Sequence, residues 1–217
     1  MIPWRLKNFV SEHLPLFYHF VSNIGVKVNS DEYWDEIYSK EWDNPGRIWP
    51  TKNQLLEGKI QKTDSVLDIA CGTGSILRFL KNKGYEDLHG TELSGLCIER
   101  LKKLGISMFR SYLPKIECLD NSFDVVIASQ ILEHIVKRGK FLNEIKRVLK
   151  SDGQCFLFVP DNYLGPIDEP SHVIKFNDKT LAKLLGKHFQ NFTITSMKDE
   201  NFEMNILFAH IQMNVHN

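Results

Sequence analysis

The sequence predicts an α/β protein, a doubly wound, mostly parallel sheet with an antiparallel last strand, preceded by an N-terminal helical cap. Three observations carry that expectation. From Ser65 onward, short apolar runs alternate with amphipathic stretches, the pattern of a parallel sheet covered on both faces. The last two apolar runs follow one another with no helix between them, which leaves room only for a hairpin and hence an antiparallel pair. Residues 1–60 instead carry large apolar side chains at helical spacing.

Taken in order, the cap comes first. Leu6, Phe9, Val10, Leu14, Phe17, Val21 and Ile24 follow a helical period that Pro15 breaks or restarts. Such a cap packs on its own domain or on a second subunit, so a homodimer stays open. A membrane-surface helix needs a strongly cationic polar face, and Arg5 and Lys7 are offset by Glu12, so membrane contact is not expected. The stretch "EYWDEIYSKEWDNPGRIWP" then holds three of the four tryptophans. That density reads as a packing plug or as the aromatic wall of a ligand pocket, with Trp34, Tyr38 and Trp49 as candidate acceptor contacts. The expected division is a cap over 1–60 and a ligand-binding domain over 61–217.

In the second unit "SVLDIA", "DLHGTE", "ISMF", "FDVVIAS" and "GQCFLFVP" read as strands. Between and after them, "SILRFLKNKG", "GLCIERLKKLG", "RGKFLNEIKRVLK" and "DKTLAKLLGKHF" read as helices, with leucine and isoleucine at helical spacing. "FTITSM" and "EMNILFAHIQM" form the closing hairpin. The chain has 27 basic and 27 acidic residues among 217, a balance that offers no electrostatic footprint for a polyanion and argues against nucleic acid as partner. Cys71, Cys97, Cys118 and Cys155 show no paired metal spacing and read as thiols of a reducing compartment. No apolar run is long enough to span a bilayer, and the N-terminus lacks a signal-peptide core. The expected location is cytoplasmic.

The chemistry is sought at "VLDIACGTGS", residues 66–75. A doubly wound sheet binds ligand outside the carboxyl ends of its strands. Gly72 and Gly74 remove β-carbons that would hold a ligand off the backbone. Leu77 stands where a dinucleotide fingerprint needs its third small residue, and the Gly-Lys-Ser/Thr of a phosphate loop is missing. Asp68 beside the turn repels phosphate and attracts a cation. Glu92, ending the second strand in "GTELS", occupies the position that grips the two hydroxyls of a ribose. A nucleoside bearing a cation and no phosphate describes S-adenosylmethionine.

On "VLDIACGTGS", "GTELS", "NSFDVVIASQILEHI" and "RVLKSDGQCFLFVPD", the chain resembles the class I S-adenosylmethionine-dependent methyltransferases of small-molecule type, over roughly residues 60–212. The resemblance implies a Rossmann-like sheet of seven strands, the last antiparallel, and S-adenosylmethionine as cofactor. It implies Asp68 near the amino end of the cofactor's methionine, Gly72 and Gly74 against its backbone-facing side, and Glu92 on the ribose. It also implies Ala70, Leu93, Ser129 and Gln130 along the cofactor. Family members often carry an acid after the third strand for the adenine amino group. Here Ser111 and Tyr112 stand there, and Ser111 is the expected contact.

Methyl transfer is an in-line displacement at an activated carbon, so a protein mainly aligns the partners and removes a proton when the nucleophile is a hydroxyl. The loops after the fourth and fifth strands supply Gln130, Glu133 and His134, then Asp161, Tyr163 and His172. Histidine titrates nearest neutrality, so His134 and His172 are the candidate bases, and Tyr163 a candidate acceptor contact. "QILEH" is similar to the Glu-x-x-Glu-His metal site of methyltransferases that act on catechols or RNA ends. Glutamine at the first position is a poorer ligand than carboxylate; His172 could complete a set, but the sequence does not fix its distance, so no metal is expected. The expected function is methylation of a small-molecule acceptor, on oxygen. The rival readings are a non-catalytic S-adenosylmethionine-binding regulator, an RNA methyltransferase and, weakened by Leu77, a nicotinamide oxidoreductase.

Overall fold

Strand β1 (Val66–Ile69) is buried at all four positions, which suits only a central strand covered on both faces. The computed structural model describes residues 3–44, 48–198 and 204–213. Residues 45–47 of the tryptophan-rich segment, and Glu203 at the start of the last apolar run, lie outside them. On one side β1 pairs in parallel with β2 (Leu88–Glu92), which carries β3 (Ser107–Arg110). On the other it pairs with β4 (Phe123–Ser129), which carries β5 (Leu149–Pro160). β6 (Asn191–Lys198) and β7 (Asn205–Gln212) form the expected hairpin, and β7 inserts antiparallel beside β5. The seven-stranded order is β3-β2-β1-β4-β5-β7-β6, so it reverses between β1 and β4, where an open sheet leaves a crevice.

Successive strand residues feed opposite layers. Leu67, Ile69, Val126, Ala128 and Leu157 pack with Phe141 and Ile145 of α7 (Arg138–Val148) and with Leu181 and Leu185 of α8 (Asp178–Leu185). Val66, Val125, Ile127, Phe156 and Phe158 meet the opposite layer. It comprises Leu56 of α4 (Pro50–Glu57), Leu77 and Leu80 of α5 (Ser75–Asn82), and Ile98 and Leu101 of α6 (Gly95–Lys103). One boundary departs from expectation: α7 ends at Val148, and β5 begins at Leu149 rather than Gly153. Leu149 is buried and pairs with Phe123, and Lys150 is drawn to Asp124 at 2.8 Å.

Ahead of β1 come α1 (Trp4–His13), α2 (Pro15–Ser22), α3 (Asp31–Glu41) and α4. Pro15 stands at the start of α2, where its fixed φ and missing N–H are tolerated. α3 is latched to the sheet by two acids. Asp35 accepts from the Ser94 hydroxyl and from Leu96 N at 3.2 Å, and Asp31 pairs with Arg110 at 3.4 Å. α1 and α2 expose Trp4, Leu6, Phe9, Phe17 and Phe20. Among the described residues, no helix is long and apolar enough to cross a membrane.

Gly74 shows what the packing demands of the turn. It starts α5 in the left-handed region at φ 68, and an added Cβ would meet Leu101 Cδ2 at 2.4 Å. Leu101 is fully buried and has nowhere to go. Gly74→Ala is therefore expected to destabilise the fold by about 1–3 kcal/mol, read as a lower urea midpoint. An unchanged midpoint would contradict the close packing of this turn on α6.

Candidate active site

The carboxyl ends of β1, β4 and β5 open into a cavity of about 340 Å³. Its floor is Asp68, Ala70, Gly72 and Ser129, its roof Tyr33, Trp34 and Tyr38 of α3, and its walls include Trp49, Lys52, Gln130, Glu133, His134 and His172. An adjoining cavity of about 200 Å³ is lined by Glu92, Leu93 and Ser111. Trp34, Tyr38, Ala70, Gln130 and His134 border both, so the two share a wall. Nearly all expected site residues thus converge. Two do not. Gly74 lines neither cavity and serves packing, while Tyr163 is 49% exposed and its neighbour Leu164 faces the cavity instead.

Backbone strain marks the rim. Ala70 and Gln130, directly after β1 and β4, adopt φ values of 51 and 55, a region that costs a non-glycine residue about 1–3 kcal/mol. The turn after β1 is tied to the turn after β2 by Glu92, whose carboxylate accepts from Gly72 N at 2.7 Å, Leu93 N at 2.7 Å and Ser94 N at 3.1 Å. Over Gly72 lies the Tyr38 ring, and a Cβ there would come within 3.0 Å of its hydroxyl. Gly72 thus does permit close approach, here by an aromatic side chain. Ser111 is buried, and its hydroxyl accepts from Glu117 N at 3.2 Å, which leaves its own proton to donate.

Charge sets the character of the cavity. Burial pushes Asp68 up to about 7, with Lys52 opposing and Glu92 adding to the rise. Burial also raises Glu92, against the three backbone N–H groups. Lys52 was not foreseen from the sequence: it is 4% exposed, donates to Ser129 Oγ at 2.9 Å, and sits 4.3 Å over the Trp49 ring. Lysine is almost never so enclosed without partners. Its only sequence signal is a cation two residues after a segment that ends in tryptophan and proline.

On the far wall, His134 and His172 stack edge to face with ring centroids 4.6 Å apart. His134 Nδ1 lies 3.0 Å from Ser171 O, and His172 Nδ1 bonds Leu164 O. A carbonyl only accepts, so each Nδ1 carries the proton and each Nε2 keeps its lone pair. Burial pushes His134 down to about 3, helped by His172, and lowers His172 as well. His134 is a weak proton acceptor in these surroundings. Glu133, directly before His134 in sequence, is pushed up to about 8 by burial, and both of its oxygens lack a hydrogen-bond partner.

Comparison with known proteins agrees with this geometry. A methyltransferase-domain family model matches residues 67–157. An uncharacterised protein of Methanocaldococcus jannaschii is 30% identical over 188 residues, covering 84% of this chain and 69% of that one. A ubiquinone biosynthesis O-methyltransferase of Neisseria meningitidis is 23% identical over 164 residues, covering 69% and 68%. An S-adenosylmethionine-dependent methyltransferase structure from Aquifex aeolicus superposes with a TM-score of 0.65 at 18% identity, over 82% of this chain and 98% of that one. The chain belongs to the class I S-adenosylmethionine-dependent methyltransferases. It is an enzyme of that class, with S-adenosylmethionine as cofactor.

Asp68 makes the electrostatics testable. Its folded pKa is raised, so its contribution to stability is full below about pH 4 and is lost as pH rises through about 7. Part of the stability that the ligand-free protein loses between pH 5 and 8 should therefore disappear in Asp68→Asn, as measured by urea unfolding at both values. Identical pH slopes for the two proteins would show that Asp68 ionises freely.

Proposed function

We propose that this methyltransferase acts on a hydroxyl oxygen of a small, ring-bearing acceptor. The observation that carries the reading is the far wall of the larger cavity. Two imidazoles, each with its Nδ1–H given to a backbone carbonyl and its Nε2 lone pair unspent, stand there edge to face with centroids 4.6 Å apart, and the Trp34 indole lies 5.7 Å from the His134 ring. Lone pairs facing an aromatic roof suit a hydroxyl on a flat ring, because the hydroxyl donates to nitrogen while the ring stacks on indole and phenol. The relative from Neisseria meningitidis is named as an O-methyltransferase, which supports oxygen as the target.

The near wall fits the cofactor. A desolvated carboxylate such as Asp68 is stabilised by a cation, and the cofactor's methionine ammonium provides one. Glu92 would meet one ribose hydroxyl with its remaining lone pair on Oε2, Ser111 would face the adenine, and Ala70, Leu93, Ser129 and Gln130 would line its length. Bound there, S-adenosylmethionine supplies an electrophilic methyl group on a sulfonium. The chain's own part is alignment. Trp34, Tyr38 and Trp49 hold the acceptor and, with α1–α4, exclude water as a lid. His134 and His172 fix the hydroxyl, and Lys52 balances the charge of Asp68. All four cysteines are free, which supports a cytoplasmic location.

Two measurements test this reading. Glu92→Ala should lose about 1.5–3 kcal/mol of affinity for S-adenosylhomocysteine by calorimetry, and unchanged affinity would remove the ribose role. A panel of hydroxylated aromatics, assayed with carbon-13 methyl-labelled cofactor, should yield a product whose methyl chemical shift is that of an ether. A carbon- or nitrogen-bound methyl would overturn the choice of oxygen.

A further inference from the structure

Glu133, His134 and His172 each present a ligand atom to one point, and these atoms lie within 4.8 Å of one another. They come from separate pieces of chain: the 3-10 turn Leu132–His134 after β4 and the loop after β5. Three features distinguish the set from a chance meeting of side chains. First, Glu133 is 1% exposed and neither carboxylate oxygen has a partner, although an unpaired buried carboxylate is among the costliest arrangements in a protein. Second, Lys52, the buried cation of the same cavity, is engaged by Ser129 Oγ at 2.9 Å and makes no hydrogen bond to Glu133.

Third, both imidazoles are already set as ligands. Each donates Nδ1–H to a backbone carbonyl, Ser171 O for His134 and Leu164 O for His172. That outer bond fixes the tautomer and aims the Nε2 lone pair, the arrangement that metal-bound histidines almost always show. The His172 loop is held in turn from the N-terminal helices, by Asn29 Nδ2 on Ser171 O at 3.0 Å and by His19 Nδ1 on His172 O at 2.9 Å.

From this geometry we infer that Glu133, His134 and His172 bind one divalent transition-metal ion, with open positions facing the acceptor cavity. Two imidazoles and one carboxylate suit zinc, cobalt, manganese or ferrous iron better than magnesium, which prefers oxygen ligands. Metal–ligand bonds of about 2.0–2.2 Å require the most distant pair to close by a small rotamer adjustment. The expectation of a metal-free site rested on Gln130 as first ligand, and the structure replaces that ligand with His172 from a distant loop. The inference deepens the proposed oxygen chemistry. An ion here would take the acceptor's hydroxyl oxygen as a ligand and lower the pKa of that hydroxyl as a Lewis acid.

The test uses tag-free, chelator-treated full-length protein titrated with zinc chloride by calorimetry, and with cobalt chloride by visible absorption. One ion per chain is expected, with cobalt bands of a site containing nitrogen ligands. Glu133→Gln and His172→Ala should each weaken binding at least tenfold while far-ultraviolet dichroism stays native. No binding by the native chain, or equal binding by both folded variants, overturns the site. S-adenosylhomocysteine affinity measured on the same samples separates the two readings. Cofactor binding without an ion removes only the metal, and ion binding without the cofactor removes only the cofactor assignment.

Discussion

The burial of three carboxyl groups in one enclosed space is the constraint on which the rest of this structure depends. Asp68, Glu92 and Glu133 are each at most 4% exposed, and burial is the leading cause that raises all three. They stand at the ends of neighbouring strands or just beyond. The sheet therefore delivers them to one place as directly as it delivers its apolar side chains to the core. Lys52 is the buried cation that answers them, and it answers Asp68. A site with this balance has little use for phosphate. It favours ligands that carry positive charge, which a sulfonium with an adjacent ammonium does.

The rest of the fold can be understood as the means of keeping that arrangement. Strands buried on both faces cannot slip in register without exposing apolar side chains, so the acids are fixed to within the precision of the sheet. Glu92 spends its lone pairs on the N–H groups of Gly72, Leu93 and Ser94, tying the turn after β1 to the turn after β2. Asp35 reaches Ser94 and Leu96 from α3. The roof residues Trp34 and Tyr38 are therefore anchored through the same short stretch that Glu92 organises. Roof, turn and the start of α6 form one hydrogen-bonded unit.

This explains which parts were legible in the sequence. The seven strands and the helices α5–α8 follow from local apolar period, because each buries a face of its own. Asp68 and Glu92 stood out because an acid at the tip of an apolar strand has no structural excuse. Trp34, Tyr38 and Trp49 were visible as a cluster, although composition alone cannot distinguish a wall from a plug. Lys52 and Asp35 were not visible. Each gains its meaning from a partner far along the chain, Lys52 from Ser129 and Asp35 from Ser94, and charged residues on amphipathic helices are ordinarily solvated. His172 could be named beside Glu133 and His134, but their meeting in space was hidden for the same reason, since nothing local fixes the path of residues 161–175. Tyr163 misled because loop aromatics have no period to show which way they point.

One carbonyl joins the two halves of the molecule. Ser171 O accepts from Asn29 Nδ2 and from His134 Nδ1, each at 3.0 Å. Its neighbours Pro170 O and His172 O accept from Asn23 Nδ2 at 3.0 Å and His19 Nδ1 at 2.9 Å. The segment around α2, the loop after β5 and the turn after β4 thus meet within three consecutive residues. These donors hold the loop that carries both the acceptor of His134 and His172 itself. The orientation of the two imidazoles therefore depends on a stretch of chain that the N-terminal segment also grips, so the wall after β4 and β5 and the helices ahead of β1 are one connected arrangement.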